Sequence, residues 1–333
     1  MFKGDKMLMV RSPLRITLGG GGTDLNSYAV QHGGFCISAA INKYSYVLVN
    51  RLYYEGISLK YSKTQFVNDV KLVEHPVIRE AIRIAGFKTP QLEIVSVADV
   101  PSNGAGLGNS GAFTTSIVKA LFAYKNIALS QEDVAAMACT INMTILEKTQ
   151  GAQDEYISSL GGIRHMAFDG NNVIAESLAL SHDTLMDLEE NLMLFYTGFS
   201  HDTQSILNWQ EARTNQNDEA MIKNLNETKD LGVLAYIKLI NGETKDFGYL
   251  LNHQWTLKEQ RMPEGNQVKE FLHALHYDLN KNGAIGNKLV GSGMGGFTLL
   301  YAEDKNKVRE FMKKKGLEEL RFNFDFEGCK RIV

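Results

Sequence analysis

The chain has 333 residues, of which 44% are hydrophobic and 22% charged, and its formal net charge at pH 7 is −3. These values are typical of a globular protein long enough for two domains. The slightly negative charge gives no reason to expect a nucleic-acid partner. No apolar run reaches the length of a membrane span, and no signal peptide is evident at the N-terminus. Three scattered cysteines, Cys36, Cys139 and Cys329, predict a reducing cytoplasmic environment and no disulfide framework.

Hydrophobic patterning predicts strands that alternate with helices in the first half of the chain. The predicted strands there are 8–19, 35–41, 44–52, 91–98, 163–168 and 173–178, and the predicted helices are 76–86, 110–125 and 130–148. A buried strand is expected at 192–196 and mostly helical structure over 202–282. A strand pair from 288 to 301, a helix at 304–315 and a strand at 320–326 complete the pattern. No change of composition marks a domain boundary. We place this boundary within 180–190 and divide the chain into domains 1–184 and 185–333.

A glycine-rich segment follows the predicted strand at 91–98 and precedes a helix with apolar residues at four-residue spacing. Glycines let a backbone approach a ligand closely, and the first turn of a helix offers free N–H groups and a positive dipole end. The segment therefore predicts a phosphate site, formed by Gly104, Ala105, Gly106, Leu107, Gly108, Asn109, Ser110 and Gly111. A plain strand-to-helix turn is the simpler alternative, but it rarely needs four glycines in eight residues.

Two other phosphate loops compete for this interpretation. Residues 106–111 match G-x-G-x-x-G, but residues 128–133 begin a helix where a dinucleotide-binding fold needs a second parallel strand. A Walker A loop is excluded because no Gly-Lys-Ser/Thr follows a glycine loop.

Two further glycine clusters, at 19–22 and 291–296, flank the phosphate loop in the sequence. Arg15 enters the first cluster on a strand, between apolar Leu14 and Ile16, and is either a surface arginine or a fixed guanidinium aimed at a phosphate or carboxylate. The second cluster lies between two predicted strands. It is either a hairpin-like turn or a backbone that must approach the phosphate loop closely, and the sequence does not separate these alternatives.

The three glycine clusters, in this order and at these separations, resemble the GHMP kinase superfamily over nearly the whole chain. Within it, the chain looks most like sugar kinases of the D-glycero-D-manno-heptose 7-phosphate kinase type. The segments that carry this likeness are Pro13–Ile16, Gly20–Asp24, Gly151–Tyr156, Leu194–Gly198 and Lys288–Phe297. The resemblance implies an α/β (α+β) fold, with an N-terminal domain like domain 2 of ribosomal protein S5, a ferredoxin-like C-terminal domain and the site in the cleft between them.

The resemblance also implies roles for particular residues. Residues 104–111 would wrap the phosphates of ATP, and Ser110 would offer its hydroxyl to Mg²⁺. Asp154 would be the general base, although from the residues alone a helix cap is an equal alternative. Arg15 would stabilise the transferring phosphoryl group or lower the pKa of Asp154. The implied substrate contacts are Gly21, Gly22, Thr23, Asp24, Gly198 and His201, and the implied support for the phosphate loop comes from Gly291, Gly293, Gly295 and Gly296.

The chain departs from the family pattern at several positions. Asn109 replaces the first serine of the usual Gly-Leu-Gly-Ser-Ser, and the loop is one residue longer. The metal-binding glutamate falls on Asn142, a neutral oxygen donor, so we expect weaker Mg²⁺ binding. Glu147, five residues later, would lie well round the helix. His201 stands where the heptose kinases have an arginine, and it either changes the grip on a substrate phosphate or simply opens the next helix.

We therefore expect an ATP- and Mg²⁺-dependent cytoplasmic kinase, an ATP:sugar phosphotransferase. It would phosphorylate a hydroxyl, at the anomeric carbon, of a heptose 7-phosphate or related sugar. Its partner would be this small sugar or sugar phosphate, and we expect neither a nucleic acid nor a membrane as a partner. The sequence does not decide between a monomer and a homodimer. The alternative, suggested by Asn109 and Asn142, is a non-catalytic nucleotide- or sugar-binding protein on the same fold.

Overall fold

The computed structural model of the chain describes residues 7–87, 91–100, 105–170, 172–199, 203–263, 267–291 and 295–333. The strands are β1 (Leu8–Gly19), β2 (Gly34–Arg51), β3 (Gly56–Lys60), β4 (Thr64–Val67), β5 (Gln91–Ala98), β6 (Ile163–Asp169), β7 (Asn172–Ser177), β8 (Leu192–Tyr196), β9 (Gly286–Leu289), β10 (Phe297–Tyr301) and β11 (Lys330–Arg331). The helices are α1 (Asn26–His32), α2 (Pro76–Ile84), α3 (Asn109–Tyr124), α4 (Gln131–Cys139), α5 (Gln153–Leu160), α6 (His182–Asn191), α7 (Thr203–Asn215), α8 (Glu219–Ile240), α9 (Thr244–Gln260), α10 (Gln267–Lys281) and α11 (Lys305–Lys314). A 3₁₀ turn spans Val70–Leu72, and a π-helical turn at Thr140–Ile145 extends α4. None of the described helices has the length and apolar character needed to span a membrane.

The larger sheet has the strand order β11-β1-β2-β5-β3-β4, and β6 and β7 extend it beside the first half of β2. Among the strand pairs that the structure describes in this sheet, β3–β5 alone is parallel. Strand β2 runs unbroken through the two strands predicted at 35–41 and 44–52. Its pairing with β1 shifts at residues 42–43, because Pro13 lies opposite Tyr44 whereas Leu14 lies opposite Ile41. The polar pair Asn42-Lys43 is therefore a bulge within one strand and not the turn that separates two strands.

The smaller sheet contains β8, β10 and β9 in that order, all antiparallel. A short fourth segment lies at the other edge of β8, where Leu320 N donates to Leu194 O and Tyr196 N donates to Glu318 O. From one edge of the sheet to the other, the order is therefore the short segment, β8, β10 and β9. Helices α7–α10 connect β8 to β9, and α11 connects β10 to the short segment. This is a ferredoxin-like arrangement, and the predicted α/β fold class is confirmed.

Most predicted elements lie within two residues of the observed ones, but two more predicted elements differ from the structure. The helix predicted over 130–148 ends at Ile145, because Glu147 adopts a left-handed conformation with φ 48°. Residues 320–326 form no regular strand: Phe324 makes an isolated bridge to Ile41 of the larger sheet, and the bridge to the smaller sheet is made by Glu319. The sequence analysis also missed α1, α5, α6, β3, β4 and β11, each of ten residues or fewer.

The predicted division at residues 184 and 185 falls inside α6. The last segment of the chain also returns to the larger sheet, where Arg331 pairs with Val10 and Asn323 O accepts from Asn42 N. The division of the chain into two domains therefore stays a prediction. The C-terminal segment belongs to the second predicted domain in sequence but pairs with strands of the first.

Helix α8 packs directly on the first glycine cluster. A Cβ built on Gly232 would lie 2.9 Å from Gly20 Cα and 3.0 Å from Gly20 N, so the two backbones touch. Ala235 and Leu239, on the same helix, are fully buried in an apolar cluster that also contains residues of both sheets. The helix therefore fixes where the glycine cluster at 19–22 lies.

The substitution Gly232→Ala tests this close packing. We expect it to destabilise the protein by about 1–3 kcal/mol, because the methyl group would overlap the backbone of Gly20. The direction of the change in stability is informative, because in an unhindered helix interior alanine is more stable than glycine by about 1 kcal/mol. The free energy of unfolding in denaturant measures the effect. The exposed neighbour variant Val233→Ala should stay within about 0.5 kcal/mol of wild type, and a stabilised Gly232→Ala protein would contradict the contact.

Candidate active site

A cavity of about 730 Å³ opens where the loops of the larger sheet face α7, α9 and the end of β9. Its described lining includes residues of β1, the glycine cluster at 19–22, the segment 105–110, the segment 148–154, and the chain just after β9. The cavity thus gathers residues from all three glycine clusters. It has the volume of an ordinary small-molecule site.

The phosphate-loop residues that the structure describes form the predicted strand–loop–helix unit. Gly106 and Gly108 have φ values of 74° and 75°, in the left-handed region that favours glycine, and Gly108 immediately precedes α3. The amides of Ser110 and Gly111 lie in the first turn of the helix and have no carbonyl of a preceding turn to bond. Ser110 is exposed and lines the cavity, whereas Leu107 is fully buried. Gly104 lies outside the described residues.

Asn109, which replaces a serine of the family pattern, lies at the first position of α3. It is buried, and its side-chain amide donates to Val100 O at 3.4 Å. This bond joins the two ends of the loop between β5 and α3.

Arg15 and Asp154 form an ion pair at the centre of the cavity wall. Arg15 Nε donates to Asp154 Oδ1 at 2.8 Å, and Arg15 Nη1 donates to Gly106 O at 2.5 Å. The Arg15 side chain is 8% exposed and that of Asp154 is 28% exposed. The guanidinium therefore links β1 to the phosphate loop and to the first turn of α5, and it leaves the carboxylate accessible from the cavity.

Two glycines at the start of α3 allow this pair to form. A Cβ on Gly108 would lie 2.9 Å from Arg15 Cγ, and a Cβ on Gly111 would lie 2.6 Å from Asp154 Cβ. Either side chain would push the acid away from the phosphate loop. The close approach of two helix starts is thus the structural reason for glycine at these positions.

Asp24 lies beside Asp154 on the same wall of the cavity. It is 9% exposed, and burial, together with the negative charge of Asp154, raises the pKa of its carboxyl group. Arg15 acts in the opposite direction. Gly151 makes room for Asp24, because a Cβ at Gly151 would overlap the Asp24 carboxylate.

Gly21 and Gly22 also line the cavity, but Thr23 does not. Thr23 was predicted to contact substrate, and the structure corrects this: it is fully buried, and its hydroxyl oxygen lies 2.8 Å from Gly20 O and 2.9 Å from Phe35 O, which share its single proton as acceptors. Its role is to fold the loop that presents Asp24. Gly198, also predicted to contact substrate, is exposed and lies outside the cavity lining, and His201 is outside the described residues.

The third glycine cluster contacts the phosphate loop at one described residue. A Cβ on Gly291 would lie 2.5 Å from Gly106 Cα, and a Cβ on Gly106 would lie 2.7 Å from Val290 O. Gly295 and Gly296 contact residues 197–199 instead: Gly296 N donates to Phe199 O and Gly296 O accepts from Thr197. Gly293 lies outside the described residues. The backbone contact predicted as one of two alternatives is present at Gly291.

Asn142 does not line the cavity but lies behind its wall in a buried polar network. Its Nδ2 donates to Thr114 Oγ1 at 3.0 Å and to Glu155 Oε1 at 2.7 Å, and its Oδ1 accepts from Lys148 Nζ at 2.8 Å. The left-handed Glu147 turns the chain so that Lys148 reaches back to Asn142. Glu147 itself is absent from the cavity lining.

This network does not fit the predicted Mg²⁺ site. The only Asn142 oxygen that could bind a metal already accepts from an ammonium group, and the residue is fully buried. In the described part of the chain, no group of three or more His, Cys, Asp or Glu residues could hold a metal ion. Ser110 alone, of the two predicted ligands, faces the cavity. The protein therefore presents an ammonium group, Lys148, where the resemblance implied a metal ligand.

The sequence analysis missed several cavity residues. Gln254, Lys258 and Arg261 are spaced as i, i+4 and i+7 along α9 and its last turn, which places them on one face. All three line the cavity together with Lys288, which is 6% exposed within the fully buried strand β9. The helical spacing and a lysine inside an apolar strand were the available signals.

The chain is similar to several known proteins. Residues 71–162 match the protein-family model described as the GHMP kinases N terminal domain. The D-glycero-alpha-D-manno-heptose 7-phosphate kinase of Campylobacter jejuni is 26% identical over 341 residues, and the match covers 98% of each protein. The crystal structure of a D-glycero-D-manno-heptose 1-phosphate kinase from Bacteroides thetaiotaomicron has a TM-score of 0.80 at 21% identity and covers 98% of this chain and 99% of that chain.

A third relative acts on a different sugar. The bifunctional fucokinase/GDP-fucose pyrophosphorylase of Arabidopsis thaliana is 26% identical to this chain. The match covers 93% of this chain but only 31% of that longer protein. These findings agree with the resemblance stated above: residues 71–162 match the model of the GHMP kinases N terminal domain, and the whole chain shares its fold with the heptose 1-phosphate kinase structure.

The buried acid Glu155 gives the site a testable pH dependence. Burial, reinforced by the charge of Asp154, raises its pKa from an ordinary 4.5 to about 7. Because the folded-state pKa lies above the unfolded value, ionisation of Glu155 destabilises the folded protein by up to about 3 kcal/mol as the pH rises through 7. This destabilisation is absent at about pH 4 and below, where Glu155 is protonated in both states.

We therefore expect Glu155→Gln to be more stable than wild type at about pH 8 and close to wild type at about pH 4. Unfolding in denaturant at the two pH values measures this difference. The exposed variant Glu132→Gln is the control and should keep the wild-type pH dependence. An unchanged pH dependence in Glu155→Gln would contradict the assigned pKa.

Proposed function

We propose that the protein is an ATP-dependent sugar kinase that transfers the γ-phosphoryl group to a hydroxyl of a heptose 7-phosphate or related sugar. The observation that carries this proposal is the Arg15–Asp154 pair, which lies between the N-terminus of α3 and the buried carboxylate of Asp24. A site built only to bind a nucleotide or a sugar has no need for this arrangement. The binding-only alternative is therefore not favoured.

The chemistry of phosphoryl transfer asks mainly for positioning and neutralisation of charge. The N–H groups and dipole of the first turn of α3 suit the phosphates of ATP. Gly106 and Gly108 bring the loop backbone within reach of those phosphates. Gly291 supports this loop from behind, because its backbone touches Gly106.

Asp154 is the group that takes the proton from the acceptor hydroxyl. Arg15 holds Oδ1, which orients the carboxylate and leaves Oδ2 as the oxygen that receives the proton. As the hydroxyl loses its proton, its oxygen attacks the γ-phosphorus, and the bond to the leaving ADP oxygen breaks. Asp24, on the acceptor side of Asp154, accepts hydrogen bonds from sugar hydroxyls and so sets which hydroxyl faces the base.

ATP is expected for a kinase of this family, and Mg²⁺ is its usual companion. Ser110 faces the phosphates and suits such an ion, but Asn142 does not, for the reason given above. We propose that Lys148 contributes positive charge beside the nucleotide phosphates at this point. Its ammonium lines the cavity and is fixed by Asn142.

The proposal also concerns the cellular compartment and the partners of the protein. The three cysteines are free thiols, Cys36 and Cys329 buried, which supports a reducing cytoplasmic setting. The partner is a small sugar or sugar phosphate with the anomeric hydroxyl as acceptor, and a homodimer stays a prediction.

The variant Asp154→Asn tests the assignment of the base. We expect the turnover number to fall by a factor of about 10²–10⁴, because the amide cannot accept the proton. ATP binding should be retained, since the phosphate loop is intact. ADP release in a coupled assay and calorimetric titration with ATP measure the two properties.

The matched control is Asp99→Asn, which changes an aspartate at the end of β5 outside the cavity lining. This variant should keep the wild-type turnover number. Full activity of Asp154→Asn would refute the role of Asp154, and loss of ATP binding would show a structural defect in its place.

The variant Lys148→Met separates two uses of the ammonium. If Lys148 binds nucleotide phosphate, its removal should raise the KM for ATP about tenfold or more, because a charge-assisted hydrogen bond is lost. The control is Lys119→Met, a half-buried lysine on α3 outside the cavity lining. If Lys148→Met instead lowers the Mg²⁺ concentration needed for turnover, Asn142 has been released to bind the metal, and the proposed role is wrong.

A further inference from the structure

Three cations line the cavity in addition to Arg15 and Lys148. Lys258 and Arg261 extend from the last turn of α9, and Lys288 extends from β9. All three line the cavity, and Gln254 lies among them. This cation cluster, Lys258, Arg261 and Lys288, is not used by the proposed mechanism.

The hydrogen bonds of the cation cluster go to neutral groups only. Lys288 Nζ donates to Gln254 Oε1 at 2.7 Å, and Lys258 Nζ donates to the carbonyl oxygens of Leu289 and Gly291. Arg261 Nε and Nη1 are inaccessible to solvent and have no partner among the described residues. No carboxylate in the described ranges forms a salt bridge with any of the three cations.

Such a cluster is unfavourable when the cavity contains only protein. Burial lowers the pKa of Lys258 well below its usual range, with repulsion from Lys288 and Arg261 acting in the same direction. Burial, followed by the charge of Arg15, lowers the pKa of Lys288 to about 7, and burial lowers that of Arg261 to about 10. An anion beside the cluster would offset this repulsion.

The position of Arg261 shows which part of the cavity the anion would occupy. A Cβ on Gly22 would lie 2.9 Å from Arg261 Nη1, so the guanidinium touches the loop that presents Asp24. Gln210, which donates to Gly22 O at 3.1 Å, lies at the same place. Lys258 is nearer the phosphate loop, through Gly291, but Arg261 adjoins the acceptor side of the cavity.

The cavity thus contains two kinds of group. Asp24 and Asp154 suit hydroxyl groups, and the cation cluster suits an anion. A sugar that carries both a phosphate and a reactive hydroxyl has the same two kinds of group. A free sugar would leave the three cations without a counter-charge.

We propose that Lys258, Arg261 and Lys288 bind the phosphate group that the acceptor already carries, so that the preferred acceptor is a sugar phosphate and not a free sugar. This inference rests on the proposed function, which it narrows to one substrate class. Arg261 is the specificity-determining residue, because its guanidinium can bond two phosphate oxygens at once.

The first experiment uses inorganic phosphate as the probe and needs no kinase activity. The wild-type protein is saturated with a non-hydrolysable ATP analogue, which occupies the phosphate loop, and its thermal unfolding is followed as phosphate is added. We expect phosphate to raise the unfolding temperature of wild type and of the surface control Lys313→Met, but not of Arg261→Met. The unfolding temperature of ligand-free Arg261→Met should not fall, because the variant removes a repelling buried charge. Equal responses of wild type and Arg261→Met to phosphate would overturn the proposal.

The second experiment compares a heptose 7-phosphate with the same heptose lacking the phosphate. We expect wild type to prefer the phosphorylated sugar in kcat/KM by about tenfold to a hundredfold, and Arg261→Met to lose this preference through a higher KM for that sugar. The KM for ATP should stay within about twofold of wild type. A rise in the KM for ATP alone would show that the cation cluster serves the nucleotide, which overturns the proposal.

The two experiments separate this inference from the proposed function. If wild type turns over both sugars equally well, the kinase assignment stands and the phosphate site is refuted. If phosphate stabilises wild type through Arg261 but no sugar is phosphorylated, the anion site stands and the kinase assignment is refuted.

Discussion

The guanidinium of Arg15 is the group on which the geometry of the site depends. One side chain on β1 bonds the phosphate loop through Gly106 O and the proposed base through Asp154 Oδ1. The backbone N–H of the same residue donates to Leu107 O at 2.9 Å. These bonds connect a strand of the larger sheet, a loop and a helix start that lie far apart in the chain. The Arg15–Asp154 pair can form only because Gly108 and Gly111 leave space for its two side chains.

Much of this arrangement could be predicted from the sequence. The alternation around Arg15, the strand, loop and helix around residues 104–111, and the carboxylate at Asp154 are local patterns, and local patterns survive in the fold. The direction of the Thr23 side chain could not be predicted, because two backbone carbonyls, one of them on β2, decide it. The metal assignment at Asn142 depended on alignment with a family pattern alone. The left-handed turn at Glu147, which places an ammonium on Asn142, has no sequence signature because glycine or asparagine would be usual there.

The cations of α9 illustrate a different limit. A basic and amide face at i, i+4 and i+7 is common on solvated helices, and the sequence does not distinguish such a face from a buried one. The distinction comes from contacts made far along the chain, where Gly22 lies beside Arg261, and Gly291 accepts a hydrogen bond from Lys258. Burial makes these groups suited to an anion, because the two charges of α9 and that of Lys288 would repel one another weakly in water and attract no particular ligand.

The return of the C-terminal segment to the larger sheet has a consequence for how the protein is made. Strand β1, which bears Arg15, has β11 at its outer edge, and Ile332 N donates to Met9 O at 2.8 Å. During synthesis, β1 emerges first and β11 last of the strands, so the outer edge of β1 stays unpaired while the intervening residues are translated. Unpaired edges are the places where nascent chains associate wrongly. The polar and charged residues of β1 near this edge, Arg11 and Ser12, and its Pro13 are the features that protect it in that interval.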